Sequence, residues 1–304
     1  MTGSLALGRL KIWLAETRPQ FLLLTPVCVF AGLAVSLMEG HPLRPLYFAL
    51  AFIGALCAHI AVNVLNDYFD YRQGIDLQTR RTPFSGGSGL LPTGQLPPRG
   101  VLLLGLANLG VVILIGIYFL FVYHWALLPI GLAGVVLVAL YTPYLTKFPA
   151  VSEVAAGGFA LIVLGTYLTQ SGTYSLAVAL VTVLAGLLIA NLLLLNEFPD
   201  IEADLCGGRR HLPIILGRRR AASVYCAINV LAYGLILGSV LAGAIPWPAL
   251  LGLATLPLAF RAAKGALSYH DQPEQLIPSL GANVMVVLLT PLLLSLGLIA
   301  WAFV

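Results

Sequence analysis

Apolar residues run in nine blocks along the chain, and short stretches rich in Gly, Pro and charge separate them. Most blocks approach or exceed the roughly 20 residues that a helix needs to cross the hydrocarbon core of a bilayer. The blocks are apolar on all faces, whereas strands of a membrane barrel alternate apolar and polar residues. The pattern therefore predicts nine transmembrane helices, at residues 20–38, 46–69, 100–122, 125–142, 152–170, 174–197, 220–243, 246–265 and 279–303.

Composition agrees with this pattern, since 60% of the 304 residues are hydrophobic, only 9% are charged, and the mean hydropathy is +0.96. We expect an all-α polytopic membrane protein whose residues 1–304 form a single domain. The first apolar block is too long for the core of a signal peptide, so it is predicted to be a retained helix. The net charge of +4 does not indicate nucleic acid, because the basic residues flank the predicted helices. The expected surroundings are membrane lipid.

The distribution of basic residues predicts the topology. If the N-terminus is cytoplasmic, only Arg44 of the 16 Lys and Arg lies on the opposite side, as the positive-inside rule requires. The longest predicted loops, residues 70–99 and 198–219, also lie on the cytoplasmic side. We therefore expect the active site on the cytoplasmic face of a plasma (inner) membrane, with an organellar membrane as the alternative.

Two acidic clusters follow the second and the sixth predicted helix. The first is NVLNDYFDYRQGID, residues 63–76, and the second is NEFPDIEAD, residues 196–204. Both follow an even-numbered helix, as expected if helices one to four and five to eight were related halves. We predict two pseudo-repeated four-helix halves plus one further helix.

Helical spacing places the polar residues of each cluster on one face. Asn63, Asp67 and Asp70 are four and three residues apart, which aligns them on the second helix, together with His59 one turn earlier. His59 is expected to be either a hydrogen-bonded buried side chain or a ligand. Asn196, Asp200 and Asp204 repeat the four-residue step, and Pro199 is expected to kink or end the sixth helix. The two faces are predicted to oppose each other.

Carboxylates at this density repel one another and ionise most readily around a cation. Oxygen ligands without Cys or His partners favour Mg²⁺, which prefers a few carboxylates together with phosphate oxygens and water. Arginines in the two loops could neutralise such a phosphate group. The residues thus indicate a lipid diphosphate as substrate, with Arg72, Arg80, Arg81, Arg209 and Arg210 as candidate ligands.

Other interpretations remain open at this point. The charges could be solvated loop residues that only set topology, or the acids could belong to a secondary transporter, although these acids lie at helix ends instead of near the midplane. A membrane terpene cyclase would share the Mg²⁺ clusters, whereas the DG and AR spacing of phospholipid phosphotransferases is absent. The segment SGGSG, residues 85–89, could be a phosphate-binding nest or an ordinary flexible turn.

The acidic motifs resemble those of the UbiA superfamily of intramembrane prenyltransferases, which are nine-helix proteins. Asn66, Asp67 and Asp70 match the start of its NDxxDxxxD motif, and Asp200 with Asp204 matches its DxxxD motif. Gly74 replaces the last aspartate of the first motif and Asp76 follows two residues later, an arrangement similar to the menaquinone-type (MenA) branch. Further similarity lies in TRPQ (17–20), YTPY (141–144), SEVAAG (152–157), GTYLTQSG (165–172) and GRRHLPIILG (208–217), the last similar to a GKRTL loop.

The resemblance implies Mg²⁺-dependent transfer of a polyprenyl chain from polyprenyl diphosphate to an aromatic acceptor. The acceptor of the MenA branch is 1,4-dihydroxy-2-naphthoate, used in menaquinone-type quinone biosynthesis; 4-hydroxybenzoate and homogentisate are the alternatives within the superfamily. The metal ligands implied are Asn66, Asp67, Asp70, Asp200 and Asp204.

The remaining site residues implied by the resemblance divide by role. Asp76 would support the metal or orient Arg80 and Arg81, and Tyr141 would stabilise the carbocation with its π face, unless it is an ordinary interfacial tyrosine. Glu153 and Lys147 would bind the acceptor or simply pair with each other. The candidates for substrate binding are Arg18, Asn63, Arg72, Arg80, Arg81, Lys147, Glu153, Asn196, Arg209 and Arg210.

Overall fold

The computed structural model describes residues 2–79, 81–84 and 86–304, and every regular element in that part of the chain is a helix. Short 3₁₀ turns join several of the helices. The thirteen α-helices are α1 (Thr2–Glu16), α2 (Leu24–Met38), α3 (Pro45–Gln73), α4 (Pro98–Tyr123), α5 (Leu128–Leu140), α6 (Val151–Gly157), α7 (Leu161–Ser171), α8 (Leu176–Asn196), α9 (Ile201–Cys206), α10 (Leu212–Leu216), α11 (Arg218–Leu241), α12 (Leu256–Tyr269) and α13 (Pro273–Ala302).

Among the described residues, seven helical segments are long and apolar enough to cross a membrane. Five of them are α3, α4, α8, α11 and α13. The other two combine neighbouring elements: α6 and α7 run together over Val151–Ser171, and a 3₁₀ segment joins α12 over Trp247–Tyr269. Shorter apolar helices, α2 and α5, correspond to the remaining two predicted blocks. The prediction of an all-helical polytopic membrane protein is confirmed.

Several predicted boundaries were wrong, and prolines or turns explain most of them. Helix α2 begins at Leu24 instead of residue 20, because successive turns follow Pro19. The block predicted at 246–265 is a 3₁₀ helix over Trp247–Thr255 before it becomes α-helical at Leu256. Pro257 lies in the first turn of α12, and it cannot donate the hydrogen bond that would continue one α-helix through this point. The N-terminal helix α1 was not predicted.

The end of α8 differs from the expected continuous face. The helix ends at Asn196, a turn follows, and α9 begins at Ile201. Pro199 lies in that turn, where it lacks an N–H donor and disfavours helical geometry at Phe198. Asn196, Asp200 and Asp204 therefore do not share one continuous helical face, whereas the expectation that the sixth helix kinks or ends near Pro199 is confirmed.

Tight packing holds the centre of the molecule together. Helix α2 packs against α7 and α13, and α8 packs against α11 and α13. A Cβ at Gly32 would overlap the carbonyl oxygen of Val163, so only glycine permits this approach of α2 to α7. Gly297 allows the same closeness between α13 and Pro248. Such small residues are the usual means of close helix contact in membranes.

Helices α4 and α5 lie at the edge of this packed centre. None of the residues of α5 is buried, and α4 buries only Val101, Gly105, Leu109 and Phe119. The space that they leave beside α3 and α7 forms a large cavity, described next.

Candidate active site

A cavity of about 730 Å³ lies between α3, α4, α5 and α7, and its walls are mostly apolar. Its lining includes Ile113 and Ile117 of α4 and Leu132 of α5, which are 41%, 45% and 60% exposed. We infer from these exposed apolar residues that the cavity opens between α4 and α5, on a side that would face lipid. Its polar lining comes from both acidic clusters and includes Arg18, Asn63, Asn66, Asp70, Asp76, Tyr141, Asn196, Asp200, Asp204 and Arg209.

The first cluster is formed by the end of α3 and the loop after it. Asp67 and Asp70 lie in the last turns of the helix, and Gly74 caps it in the left-handed conformation with φ 78°. That conformation favours glycine, which explains why no aspartate stands at position 74. The chain then turns back, so that Asp76 is buried near Asp70 and Asp67. Burial and these two charges raise the pKa of Asp76 to about 8.

The glycine-rich loop packs on this first cluster. The Ser88 backbone N–H donates to Asp67 Oδ2 at 2.7 Å. Gly87 has φ 68°, and a Cβ there would lie 3.1 Å from Asp76 Oδ1 and 3.4 Å from Asp67 Oδ1. At least one amide of the loop is thus bound to a carboxylate. Ser85, the first residue of the segment predicted as a nest or turn, lies outside the described residues.

Glu16, at the end of α1, belongs to the same cluster although sequence reasoning missed it. Its side chain is fully buried and accepts a hydrogen bond of 2.8 Å from Ser88 Oγ. Burial and the neighbouring charge of Asp67 raise the pKa of Glu16 to about 7. The only signal in the sequence was an acid two residues before the Arg18–Pro19 pair.

Arg18 is held against the first cluster in an unusual conformation. Its φ is 55°, a left-handed value that costs an L-residue about 1–2 kcal/mol. Nη1 lies 3.6 Å from Asp67 Oδ1, and the guanidinium carbon lies 4.6 Å from the centre of the Phe21 ring. These contacts keep a cation beside Asp67 at the cavity wall.

Arg209 joins the second cluster to the first. One of its terminal nitrogens donates to Asp204 Oδ1 at 2.8 Å, and the other is hydrogen-bonded to Asp70 Oδ1. The side chain is only 14% exposed, so both contacts are made away from bulk solvent. Asp200 precedes α9 and accepts the Asp204 backbone N–H through its own carbonyl at 2.9 Å. The two acidic clusters thus meet at one end of the cavity.

Behind Asp204 lies a buried acid and imidazole network. His211 Nε2 lies 2.8 Å from Asp204 Oδ2, and its Nδ1 lies 3.8 Å from Glu197 Oε2. Burial and the nearby Glu153 raise the pKa of Glu197 well above its usual value. Sequence reasoning missed Glu197 and His211, which stand in NEFPD and RRHLP, two segments that surround the expected motifs.

Glu153 and Lys147, predicted to bind the acceptor, are not brought together at the cavity. Glu153 is buried and accepts hydrogen bonds from the Leu212 N–H at 2.6 Å and the Ser152 hydroxyl at 2.7 Å. Lys147 is exposed at the end of a 3₁₀ turn, and it does not line the cavity. An ion pair between them, the alternative expectation, is also missing among the described contacts.

Three further predicted arginine ligands, Arg72, Arg81 and Arg210, lie away from the cavity. Arg72 is exposed and donates to Tyr68 Oη at 3.3 Å, and Arg210 is exposed beside Arg209. Arg81 is exposed, and its guanidinium lies so close to Gly89 that a Cβ there would overlap it. These three side chains do not line the cavity. Arg80 lies outside the described residues.

The predicted amide and aromatic residues do lie at the cavity. Asn63 donates to the Thr17 carbonyl at 3.1 Å, and Asn66 donates to Thr142 Oγ1 at 3.1 Å. Tyr141 directly follows α5 on the same wall. His59 also reaches the cavity, where it is hydrogen-bonded to Thr25 Oγ1 at 2.8 Å, as expected for a buried side chain.

The oxygen atoms at this end fit Mg²⁺. Asp67 Oδ1, Asp76 Oδ2 and Asn196 Oδ1 are buried and have no hydrogen-bond partner. Across the described part of the chain, no group of three His, Cys, Asp or Glu side chains is assembled to hold a metal. Arg209 accounts for this, because it lies between Asp70 and Asp204. Since Mg²⁺ commonly takes one or two carboxylates plus phosphate oxygens and water, the donors suit a metal that arrives with a phosphate.

Comparison with known proteins identifies a family and several relatives of this chain. The sequence pattern of the UbiA prenyltransferase family matches residues 25–284. Over 288 residues the chain is 28% identical to 1,4-dihydroxy-2-naphthoate octaprenyltransferase of Bacillus subtilis (strain 168), which covers 93% of this chain and 90% of the relative. It is also 28% identical over 256 residues to digeranylgeranylglyceryl phosphate synthase of Thermococcus kodakarensis, covering 82% of each chain.

A solved structure shares the fold. The UbiA homologue from Archaeoglobus fulgidus bound to GPP and Mg²⁺ superposes with a TM-score of 0.64 at 16% identity, covering 96% of this chain and 98% of that one. Together with the family match over most of the sequence, this shows that the chain belongs to the UbiA prenyltransferase family of membrane enzymes.

Proposed function

We propose that this protein transfers a polyprenyl chain from polyprenyl diphosphate to 1,4-dihydroxy-2-naphthoate in menaquinone-type quinone biosynthesis, and that the reaction requires Mg²⁺. The observation that carries the proposal is a single cavity that joins a lipid-open apolar region to two carboxylate clusters bridged by Arg209. The relative from Bacillus subtilis, named for this acceptor, supports it over 93% of the chain.

The diphosphate would lie between the two clusters. Arg18 and Arg209 are the cationic arginines that line the cavity, and we assign them to the diphosphate oxygens. The residues proposed to hold Mg²⁺ are Asn66, Asp67, Asp70, Asp200 and Asp204. Mg²⁺, when bound, supplies positive charge to the leaving diphosphate, which favours cleavage of the allylic C–O bond. Asp76 supports this end of the cavity from the loop, beside Gly87.

The rest of the cavity suits the hydrocarbon chain. Its apolar walls would hold the polyprenyl tail and exclude water from the reacting carbon. Tyr141 is proposed to face the allylic cation with its ring. The opening between α4 and α5 would admit the substrate from the bilayer. Because Arg72, Arg81, Arg210 and Lys147 are exposed and do not line the cavity, we give them no role in the reaction.

The proposed topology has nine membrane spans in one domain of residues 1–304, formed by two four-helix halves plus one helix. Its N-terminus and active site are proposed to be on the cytoplasmic side of the plasma membrane. The basic residues support this orientation, since Arg44 alone of 16 would lie on the other side. The ends of α3 and α8 supply the acids of one site, as expected if both helices run in the same direction.

A second candidate function comes from the relatives named digeranylgeranylglyceryl phosphate synthase, one of which matches 82% of the chain. The compound in that name is a lipid that carries a glyceryl phosphate, so the acceptor would not be aromatic. Prenyl transfer to 4-hydroxybenzoate or homogentisate, and cyclisation without an acceptor, would use the same acidic clusters.

Product analysis separates these functions. The purified protein in lipid vesicles would receive Mg²⁺, a C40-type polyprenyl diphosphate, and one acceptor at a time. We expect mass spectrometry to find a prenylated naphthalene product, with one diphosphate released for each product molecule. A prenylated glyceryl phosphate lipid, or diphosphate release without any acceptor, would overturn the proposal.

A further inference from the structure

Two residues that line the cavity each carry a buried polar atom without a hydrogen-bond partner. These atoms are Oε2 of Glu197 and Nδ1 of His211, which lie 3.8 Å apart. The two residues line the cavity and are only 7% and 1% exposed. A buried polar group without a partner costs about 1–3 kcal/mol. Two such atoms side by side, on residues that line the cavity, therefore suit a ligand that supplies the missing hydrogen bonds once these side chains turn toward it.

The surrounding contacts fix these two side chains. His211 Nε2 is held by Asp204 Oδ2 at 2.8 Å, which leaves Nδ1 turned toward Glu197. Glu153, beside Glu197, is itself occupied by the Leu212 N–H and the Ser152 hydroxyl. The pair is thus rigid and next to the acidic clusters, since Asp204 also pairs with Arg209.

The charge of this wall limits what can bind there. Glu197, Glu153 and Asp204 are all acidic residues, and the arginines that line the cavity, Arg18 and Arg209, are assigned above to the diphosphate of the donor. A phosphate group on the acceptor would therefore meet acidic side chains here and no further arginine of the cavity lining. A hydroxyl group carries no charge and can donate to one of these atoms while it accepts from the other.

We propose that Glu197 and His211 form the subsite that binds a ring hydroxyl of the acceptor, and that this subsite selects a hydroxylated aromatic compound over a phosphate-bearing lipid. The inference rests on the proposed function, because it assigns the acceptor of the same site.

Binding of matched acceptors tests the subsite. Affinities would be measured for 1,4-dihydroxy-2-naphthoate and for its two mono-O-methyl ethers, in which one hydroxyl can no longer donate. In the unchanged protein we expect one of the two ethers to bind about tenfold more weakly than 1,4-dihydroxy-2-naphthoate, because it loses one hydrogen bond. In Glu197→Ala the affinities for that ether and the parent compound should differ by less than about twofold.

Controls separate binding from folding. Glu197→Gln keeps the side-chain volume and hydrogen-bonding atoms, and we expect it to retain most of the discrimination. Glu202→Gln changes an acid of α9 whose side chain is 90% exposed. This variant should discriminate between the ether and the parent compound as strongly as the unchanged protein does. The affinity for polyprenyl diphosphate should stay constant in all variants, which verifies that each variant is folded.

Two outcomes would count against the subsite, and only the second would also overturn the proposed function. If Glu197→Ala binds polyprenyl diphosphate normally and keeps the full tenfold discrimination, the subsite is wrong while naphthoate prenylation by the unchanged protein stands. If the unchanged protein transfers prenyl groups only to a glyceryl phosphate lipid, the proposed function fails, and the subsite fails with it.

Discussion

At the scale of single residues, Arg209 determines how the two acidic clusters meet. Its two terminal nitrogens bind Asp70 and Asp204, which come from helices far apart in the sequence. Without this cation the buried carboxylates would repel each other. A planar guanidinium can hold two carboxylates at once, whereas an ammonium group acts as a point charge.

Substitutions of Arg209 should therefore show whether activity depends on its bridging geometry or only on its positive charge. We expect Arg209→Ala to lower activity roughly 100-fold relative to the unchanged protein. Arg209→Lys should lower it almost as much, because lysine cannot bridge both aspartates. The measurement is kcat/KM for prenyl transfer. Arg210→Ala is the matched control, since Arg210 is adjacent but exposed. Equal activity of the Arg209→Ala and Arg210→Ala variants would contradict the bridging role.

Titration of Glu16 should make the stability of the folded protein depend on pH. Its pKa in the folded protein is about 7, above the value of 4.5 expected for the unfolded chain. Between these values the folded state holds a proton that the unfolded state has lost, so Glu16 makes the protein less stable as pH rises from about 4.5 to about 7. Above that range the loss is complete.

The variant Glu16→Gln should lack this loss. The melting temperatures of both proteins would be measured in detergent with a chelator present. We expect the melting temperature of the variant minus that of the unchanged protein to increase from pH 5 to pH 8. Comparing the two proteins at each pH removes the contribution of other titrating groups, among them Asp76. A difference in melting temperature that stays constant over this range would show that Glu16 does not titrate as described.

At the scale of helices and loops, sequence periodicity predicted α3 well and α8 only in part. Asp67 and Asp70 align because α3 continues unbroken to Gln73, whereas Pro199 divides the second cluster between two helices. Helix α1 escaped prediction because its apolar residues are too few for a membrane span. Long-range contacts such as Glu16 with Ser88 and Glu197 with His211 have no fixed spacing in the sequence, so they could not be predicted from it.

The glycine loop allows a test with a close internal control. Gly87 and Gly94 have φ values of 68° and 69°, so alanine should cost each about 1 kcal/mol of stability. Only Gly87 lies against Asp67 and Asp76, while nothing lies within 4 Å of a Cβ at Gly94. We expect Gly87→Ala alone to raise the Mg²⁺ concentration for half-maximal activity, measured by titration. Equal Mg²⁺ requirements would refute the contact between loop and site.

At the scale of the whole molecule, a tightly packed centre contrasts with a wide cavity at one side. Glycines bring α2 to α7 and α13 to Pro248, while α4 and α5 bury few residues and leave the cavity open to lipid. Hydropathy could predict the helices but not this unequal packing, because lipid-facing and cavity-facing residues are equally apolar. A substrate that lives in the bilayer can enter such a cavity without crossing water.

Filling the cavity should discriminate substrates by chain length. Gly131 of α5 lines the cavity with open space around it, so Gly131→Phe would occupy the apolar region. We expect transfer from a C40-type diphosphate to fall about tenfold or more, with transfer from a C10 diphosphate changed less than about threefold. Gly110→Phe also meets open space but lies outside the cavity lining, and it should leave both rates unchanged. Equal losses for both chain lengths would argue against this tail site.

We propose that both acidic clusters act together on a Mg²⁺-bound diphosphate. The most direct measurement is transfer of a labelled polyprenyl chain to 1,4-dihydroxy-2-naphthoate by the purified protein, compared with Asp70→Asn, Asp200→Asn and the exposed control Asp271→Asn. We predict no product with a chelator, a loss of roughly 100-fold or more in each of the first two variants, and normal activity in the third. Product formation in the presence of the chelator, or full activity in either cluster variant, would contradict it.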